Sequence, residues 1–61
     1  METLFSPERF TILIVDDTPK NIQVLGSNLR KENYNVEFAT SGEAALSWIE
    51  QKPFDLIILD I

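Results

Sequence analysis

The apolar residues of this chain fall into five blocks with different rhythms. Residues 10–15, FTILIV, make a continuous β-branched and aliphatic run, the pattern of a strand buried on both faces of a parallel sheet. In TPKNIQVLGSNLRKEN the rhythm changes. Ile22, Leu25 and Leu29 fall on one helical face, Thr18 stands where an N-cap belongs, and Pro19 takes the first helical position, where its missing N–H is harmless. Gly26 inside this helix costs about 1 kcal/mol relative to Ala and points to close packing against a sheet. YNVEFAT alternates Tyr34, Val36 and Phe38 with Asn35, Glu37 and Ala39, and predicts a half-buried strand over 34–39 at a sheet edge. TSGEAALSWIEQKP has a capping-box spacing from Thr40 to Glu43, a buried face of Ala45, Leu46, Trp48 and Ile49, and Pro53 as its stop. Last comes FDLIILD, a nearly continuous apolar run over 54–59 that closes on Asp60.

The order is β-α-β-α-β, which implies an α/β fold with parallel strands joined by right-handed crossovers. The strongly apolar strands at 10–15 and 54–59 are expected to be neighbours, with 34–39 at the edge, so the strand order is 2-1-3. That is half of a doubly wound parallel sheet. In such sheets ligands bind at the carboxyl ends of the strands, beside the reversal of strand order. Asp16, Asp17 and Asp60 all fall at that end.

Length and charge narrow the functional classes. With 61 residues the chain forms at most one small domain. The absence of Cys and His removes disulfides, Cys/His zinc sites and His-based acid–base chemistry, so any chemistry runs on carboxylates. A net charge of −5 with scattered Lys and Arg argues against nucleic acid and for a cationic ligand. No apolar run has bilayer length and METLFSPERF lacks the features of a signal peptide, so the expected setting is soluble and cytoplasmic, away from the membrane.

The ends of neighbouring parallel strands lie about 4.8 Å apart, close enough for carboxylates to converge. Three negative charges there repel, and a divalent cation resolves the conflict. An all-oxygen ligand set points to a hard ion such as Mg²⁺. Beside such an ion a carboxylate can serve as nucleophile toward a phosphoryl group. Asp60, alone on its strand, is the better nucleophile, and the adjacent pair Asp16 and Asp17 the better metal ligands. Read without Asp60, the pair is simply two solvated loop carboxylates. Asp55, at the other end of its strand, is a capping or turn residue. Trp48 is packing, and Arg30, Lys31 and Glu32 are an exposed helix end suited to the C-terminal dipole.

ILIVDDTPKNIQVLGSNLRKENYNVEFATSGEAAL followed by PFDLIILD resembles the first half of a response-regulator receiver domain, the flavodoxin-like module of two-component signalling. The likeness covers 10–61, leaving 1–9 as a lead-in. It implies that Asp60 accepts a phosphoryl group from the phosphohistidine of a sensor histidine kinase or phosphotransfer protein. It also implies that Asp16 and Asp17 bind Mg²⁺, Asp17 more directly, with Asp60 as a third ligand, and that the region of Thr18, Pro19 and Lys20 lies next to the kinase-docking surface. The chain would be a phosphoacceptor and not an enzyme.

A whole receiver is longer and carries a Ser/Thr, a Lys and an aromatic switch residue in its second half. The resemblance therefore implies a half domain, a truncated receiver over 10–61 with weak or absent Mg²⁺ binding and little activity by itself. Two other classes compete. An aspartate-nucleophile phosphatase wants Asp-x-Asp where this chain has Asp16-Asp17-Thr18, and a nucleotide-binding module wants a glycine-rich loop where Gly26 and Gly42 are the only glycines. A third reading is a folding or assembly fragment. Strand 54–59, with a neighbour on one side only, predicts a homodimer through its open edge.

Overall fold

In a computed structural model, residues 7–60 are described; residues 1–6 of the expected lead-in and Ile61 lie outside the described residues. A 3-10 turn at Pro7–Arg9 leads into β1 (Thr11–Asp16), α1 (Pro19–Lys31), β2 (Asn35–Ala39), α2 (Gly42–Gln51) and β3 (Leu56–Asp60). All strand pairs are parallel and the order is β2-β1-β3, the α/β topology expected from the sequence. The Asn35 side-chain amide donates to the Glu8 carbonyl and ties the leading turn to the start of β2. No helix among the described residues is long and apolar enough to cross a membrane.

β1 is the centre of the molecule because its side chains alternate between two separate cores. Ile12 and Ile14 meet Ile22 and Val36 under α1, with Leu25 and Leu29 packed against them. Leu13 and Val15 meet Ala39 and Ala45 under α2, with Ala44, Trp48 and Phe54 alongside. Each face thus carries one helix, which explains why FTILIV shows no polar alternation. Phe10 is outside the strand. It packs against the α1 core and sets its ring edge-on to Tyr34 at 5.7 Å between centroids.

β2 departs from the expected one-sided alternation. Val36 is buried under α1 and Ala39 under α2, whereas Phe38 is half exposed at the sheet edge. A parallel edge strand with a helix on either face has two partly covered sides, so period-two logic misplaces Phe38 and Ala39. The two outer strands start or end one or two residues from the expected limits: β2 begins at Asn35 and β3 takes in Asp60.

The helix ends follow local chemistry. α1 terminates through Asn33, held at φ 70°, with Asn33 N donating to the Arg30 carbonyl at 2.9 Å and Tyr34 N to the Leu29 carbonyl at 3.3 Å. That is the left-handed cap with paired backwards hydrogen bonds that Asn supports when Gly is absent. At α2 the cap is Ser41 and not Thr40: the Ser41 hydroxyl accepts from Ala44 N at 3.2 Å. The helix therefore starts one residue later than the capping-box spacing suggests. Its buried face is also narrower than expected. Ala45 is buried and Trp48 is half-buried with Nε1 donating to the Phe38 carbonyl at 3.0 Å, but Leu46 and Ile49 are exposed. With one short helix over two strands, only the Ala44–Ala45–Trp48 stripe finds sheet beneath it.

Gly26 is buried against the sheet, as expected from its place in α1, and has ordinary helical φ. A Cβ built there would stand 3.9 Å from Ile14 Cδ1 and 4.0 Å from Val36 Cγ1, which is normal van der Waals contact. The position therefore does not require glycine. Gly26→Ala should raise the unfolding free energy by about 1 kcal/mol through helix propensity and added contact, read as an upward shift of the urea midpoint; a downward shift would show that α1 sits closer to the sheet than described.

Candidate functional site

The carboxyl ends of β1 and β3 are side by side, with Asp16 and Asp60 in register across the strand pair. Side chains at one level of neighbouring parallel strands share a face of the sheet. Asp16 is the last residue of β1 and the one buried polar side chain among the described residues, at 6% exposure; Asp17 and Asp60 are exposed.

Asp16 organises the turn that follows it. Its Oδ1 accepts from Thr18 N at 2.8 Å, an Asx-type turn that redirects the chain from strand to helix. Its Oδ2 accepts from the Asn21 side-chain amide at 3.3 Å. Thr18 is the N-cap of α1 in extended conformation, but its hydroxyl makes no cap bond and donates instead to Asp17 Oδ1 at 3.3 Å. The Thr18 carbonyl receives Asn21 N at 3.0 Å and Ile22 N at 3.3 Å, which closes the first helical turn. Pro19 contributes no N–H to this turn and needs no partner for one.

The three aspartates singled out in the sequence thus stand at one end of one sheet. They are all-oxygen donors on exposed or strand-end positions, a donor set of the class that hard divalent ions take. No group of three or more His, Cys, Asp or Glu among the described residues is gathered closely enough to hold a metal ion. A groove between α1 and β2, lined by Pro19, Ile22, Gly26, Arg30, Phe38 and Thr40, runs along the other edge and includes none of the three aspartates.

Asp55 belongs to the opposite end of the sheet. Its backbone N–H donates to the Thr11 carbonyl at 2.8 Å and its Oδ2 accepts from Thr11 N at 2.8 Å, a reciprocal pairing that starts the β1–β3 ladder. This is the turn role expected of it. Asn21 had no role in the sequence reading. The signal available was its place in the first helical turn after an Asp-Asp-Thr-Pro stretch, where an amide can fold back onto the strand-end carboxylate.

The family model for the response regulator receiver domain matches residues 12–61. The chain is 47% identical over 51 residues to a response regulator, GtcR, of Aneurinibacillus migulanus, covering 84% of this chain and 21% of that protein. It is 47% identical over 51 residues to a probable cyclic di-GMP phosphodiesterase of Vibrio cholerae, covering 84% of this chain and 11% of the relative. It is 41% identical over 51 residues to the signal transduction histidine-protein kinase BarA of Escherichia coli, covering 84% of this chain and 6% of that kinase. The chain therefore spans about a fifth or less of each of these relatives. No solved structure matches it.

The 2.8 Å bond from Thr18 N to Asp16 Oδ1 makes a specific expectation for hydrogen exchange. The Thr18 amide should be protected although its residue is exposed, and Asp16→Ala should remove that protection while Asp17→Ala leaves it. Exchange-rate measurement by NMR decides this; equal protection in all three chains would mean that the Asx turn does not form.

Proposed function

As the chain belongs to the response regulator receiver family, we propose that it is the phosphoacceptor part of a two-component phosphorelay, with Asp60 as acceptor and Asp16, Asp17 and Asp60 as the Mg²⁺ site. The observation that carries this reading is the register pairing of Asp16 with Asp60 at the carboxyl ends of adjacent parallel strands. Similarity to both a named response regulator and a named histidine kinase supports a place in phosphotransfer between such proteins. The partner is then a sensor histidine kinase or a phosphotransfer protein. The exchange takes place in the cytoplasm, where ATP charges the donor histidine.

In this reading an Asp60 carboxylate oxygen attacks the phosphorus of a phosphohistidine. The P–O bond forms as the P–N bond breaks, and the electron pair leaves on the imidazole nitrogen, which takes a proton. Asp60 suits the role because it is exposed at a strand end and reaches solvent without opening the core. Asp16 is held by Thr18 N and Asn21 Nδ2, whereas Asp17 is exposed with the Thr18 hydroxyl on one oxygen, so Asp17 offers the more accessible metal contact. Mg²⁺, when bound, supplies neutralising charge for the phosphoryl oxygens. Exposed carboxylates can change rotamer to close on it. The chain supplies an acceptor and turns over no substrate of its own.

A second reading rests on β3. Leu56, Ile57 and Leu59 are exposed, Leu59 at 68%, and the edge of β3 away from β1 has no strand partner among the described residues. An apolar, proline-free edge strand is a template for pairing. We propose that the 61-residue chain alone forms a two-fold homodimer through β3, each copy covering the other's Leu56, Ile57 and Leu59. Such a fragment would assemble without phosphotransfer activity.

Two measurements separate these readings. Incubated with a small acyl phosphate donor and Mg²⁺, protein carrying these residues should form a hydroxylamine-sensitive acyl phosphate that Asp60→Asn abolishes; undiminished labelling in that variant refutes the acceptor assignment. In sedimentation equilibrium the chain should behave as a dimer and Leu59→Lys should shift it to monomer. A folded monomer of the unmodified chain at micromolar concentration would eliminate the dimer.

A further inference from the structure

The strand order β2-β1-β3 leaves β2 at an edge of the sheet among the described residues. Its ladder with β1 fixes which of its backbone groups turn away from the sheet. Asn35 N donates to the Phe10 carbonyl, and the pairing continues in parallel register to Ala39. In such a ladder alternate residues point both N–H and C=O at the neighbour, so Asn35, Glu37 and Ala39 face β1 while Val36 and Phe38 turn theirs outward. The Phe38 side chain is itself 50% exposed. An edge that combines outward backbone groups with an exposed aromatic ring is one to which a further strand adds.

Both outward carbonyls are already taken. Arg30 Nη2, from α1, donates to the Val36 carbonyl at 3.3 Å, and Trp48 Nε1, from α2, donates to the Phe38 carbonyl at 3.0 Å. The two helices cover opposite faces of the sheet, so these side chains reach its rim from opposite sides. Each donor stands where the N–H of an added strand would have to come, and the guanidinium and indole that carry the donors fill the space its backbone would need. An arginine in the last turn of a helix ordinarily serves the helix dipole, and a half-buried indole ordinarily serves packing. Here the two converge on one strand edge.

We infer that Arg30 and Trp48 form a two-sided clamp that closes the outer edge of β2 to strand addition by a second copy of the chain. Natural sheets blunt their edges with charged side chains or a covering segment; this clamp does so by occupying the acceptors themselves. Without it, two copies can join β2 to β2 in antiparallel fashion about a two-fold axis. The register that sets the Phe38 residues of the two copies opposite each other keeps their Glu37 carboxylates apart and adds an aromatic cross-strand pair. The clamp acts on β2 alone, whether or not β3 pairs.

The test takes Leu59→Lys as the parent, to keep association through β3 out of the reading, and adds Arg30→Ala and Trp48→Phe, singly and together. Trp48→Phe keeps an aromatic ring against the α2 core and loses the N–H. In sedimentation equilibrium the double variant, with the helical circular dichroism of the parent, should show a weight-average mass about twofold higher. Hydrogen exchange followed by NMR should show the Val36 and Phe38 amides gaining protection as they enter the new ladder. A folded double variant with the parent's mass overturns the clamp. So does a double variant that associates while its Val36 and Phe38 amides exchange as in the parent, because the contact then lies elsewhere. If the double variant does not fold, Arg30→Ala, a change at the exposed end of α1, decides by the same two readings.

Discussion

The burial of β1 on both faces is the constraint from which the rest of the structure follows. Ile12, Leu13, Ile14 and Val15 are all essentially inaccessible, and no other element approaches that condition. Here both neighbours of β1 are parallel to it and the two crossovers run over opposite faces. α1 takes one face and α2 the other. Two small cores result, one on each face of the sheet, with β1 supplying two buried side chains to each. Full burial of each aliphatic side chain contributes about 1.5–3 kcal/mol, so these four residues supply much of what a domain of this size has to set against chain entropy.

That same burial delivers the candidate site. Because β1 remains inside the molecule to its last residue, Asp16 arrives buried, and its carboxylate is hydrogen-bonded locally. The turn that begins α1 does this with a backbone N–H and the Asn21 amide. Asp17, one residue further, has already left the sheet and faces solvent. Adjacent, chemically identical residues thereby acquire different surroundings: Asp16 is buried and braces the turn, whereas Asp17 is exposed with the Thr18 hydroxyl on one oxygen. Asp60 joins them because the β1–β3 register places it opposite Asp16.

The outer strands show what incomplete covering means. β2 and β3 each lack a neighbour on one side among the described residues, yet they differ in chemistry. β2 intersperses Asn35 and Glu37 with its apolar residues, and Glu37 pairs with Lys52. β3 is apolar through Leu59 and is exposed along both faces. Its composition is that of an interior strand in an edge position, which is the physical basis for expecting it to be covered by further protein.

Element order, parallel pairing and the position of the acidic end were legible in the sequence because each rests on local signals. FTILIV carries no alternation, Thr18-Pro19 opens a helix, and the aspartates stand where apolar runs stop. The family likeness came from the same residues. What the sequence left open depends on which surfaces meet. Thr40 and Ser41 are both competent caps, and only the path of the chain out of β2 selects Ser41. Leu46 and Ile49 have the right spacing for a buried face, but three strands offer α2 too little sheet to cover them. Asn21 reads as an ordinary polar helix residue until the fold brings it back onto Asp16, five positions earlier. Periodicity records what a residue prefers, whereas burial, register and hydrogen-bond partner are properties of the assembled neighbours, and only tertiary structure decides those.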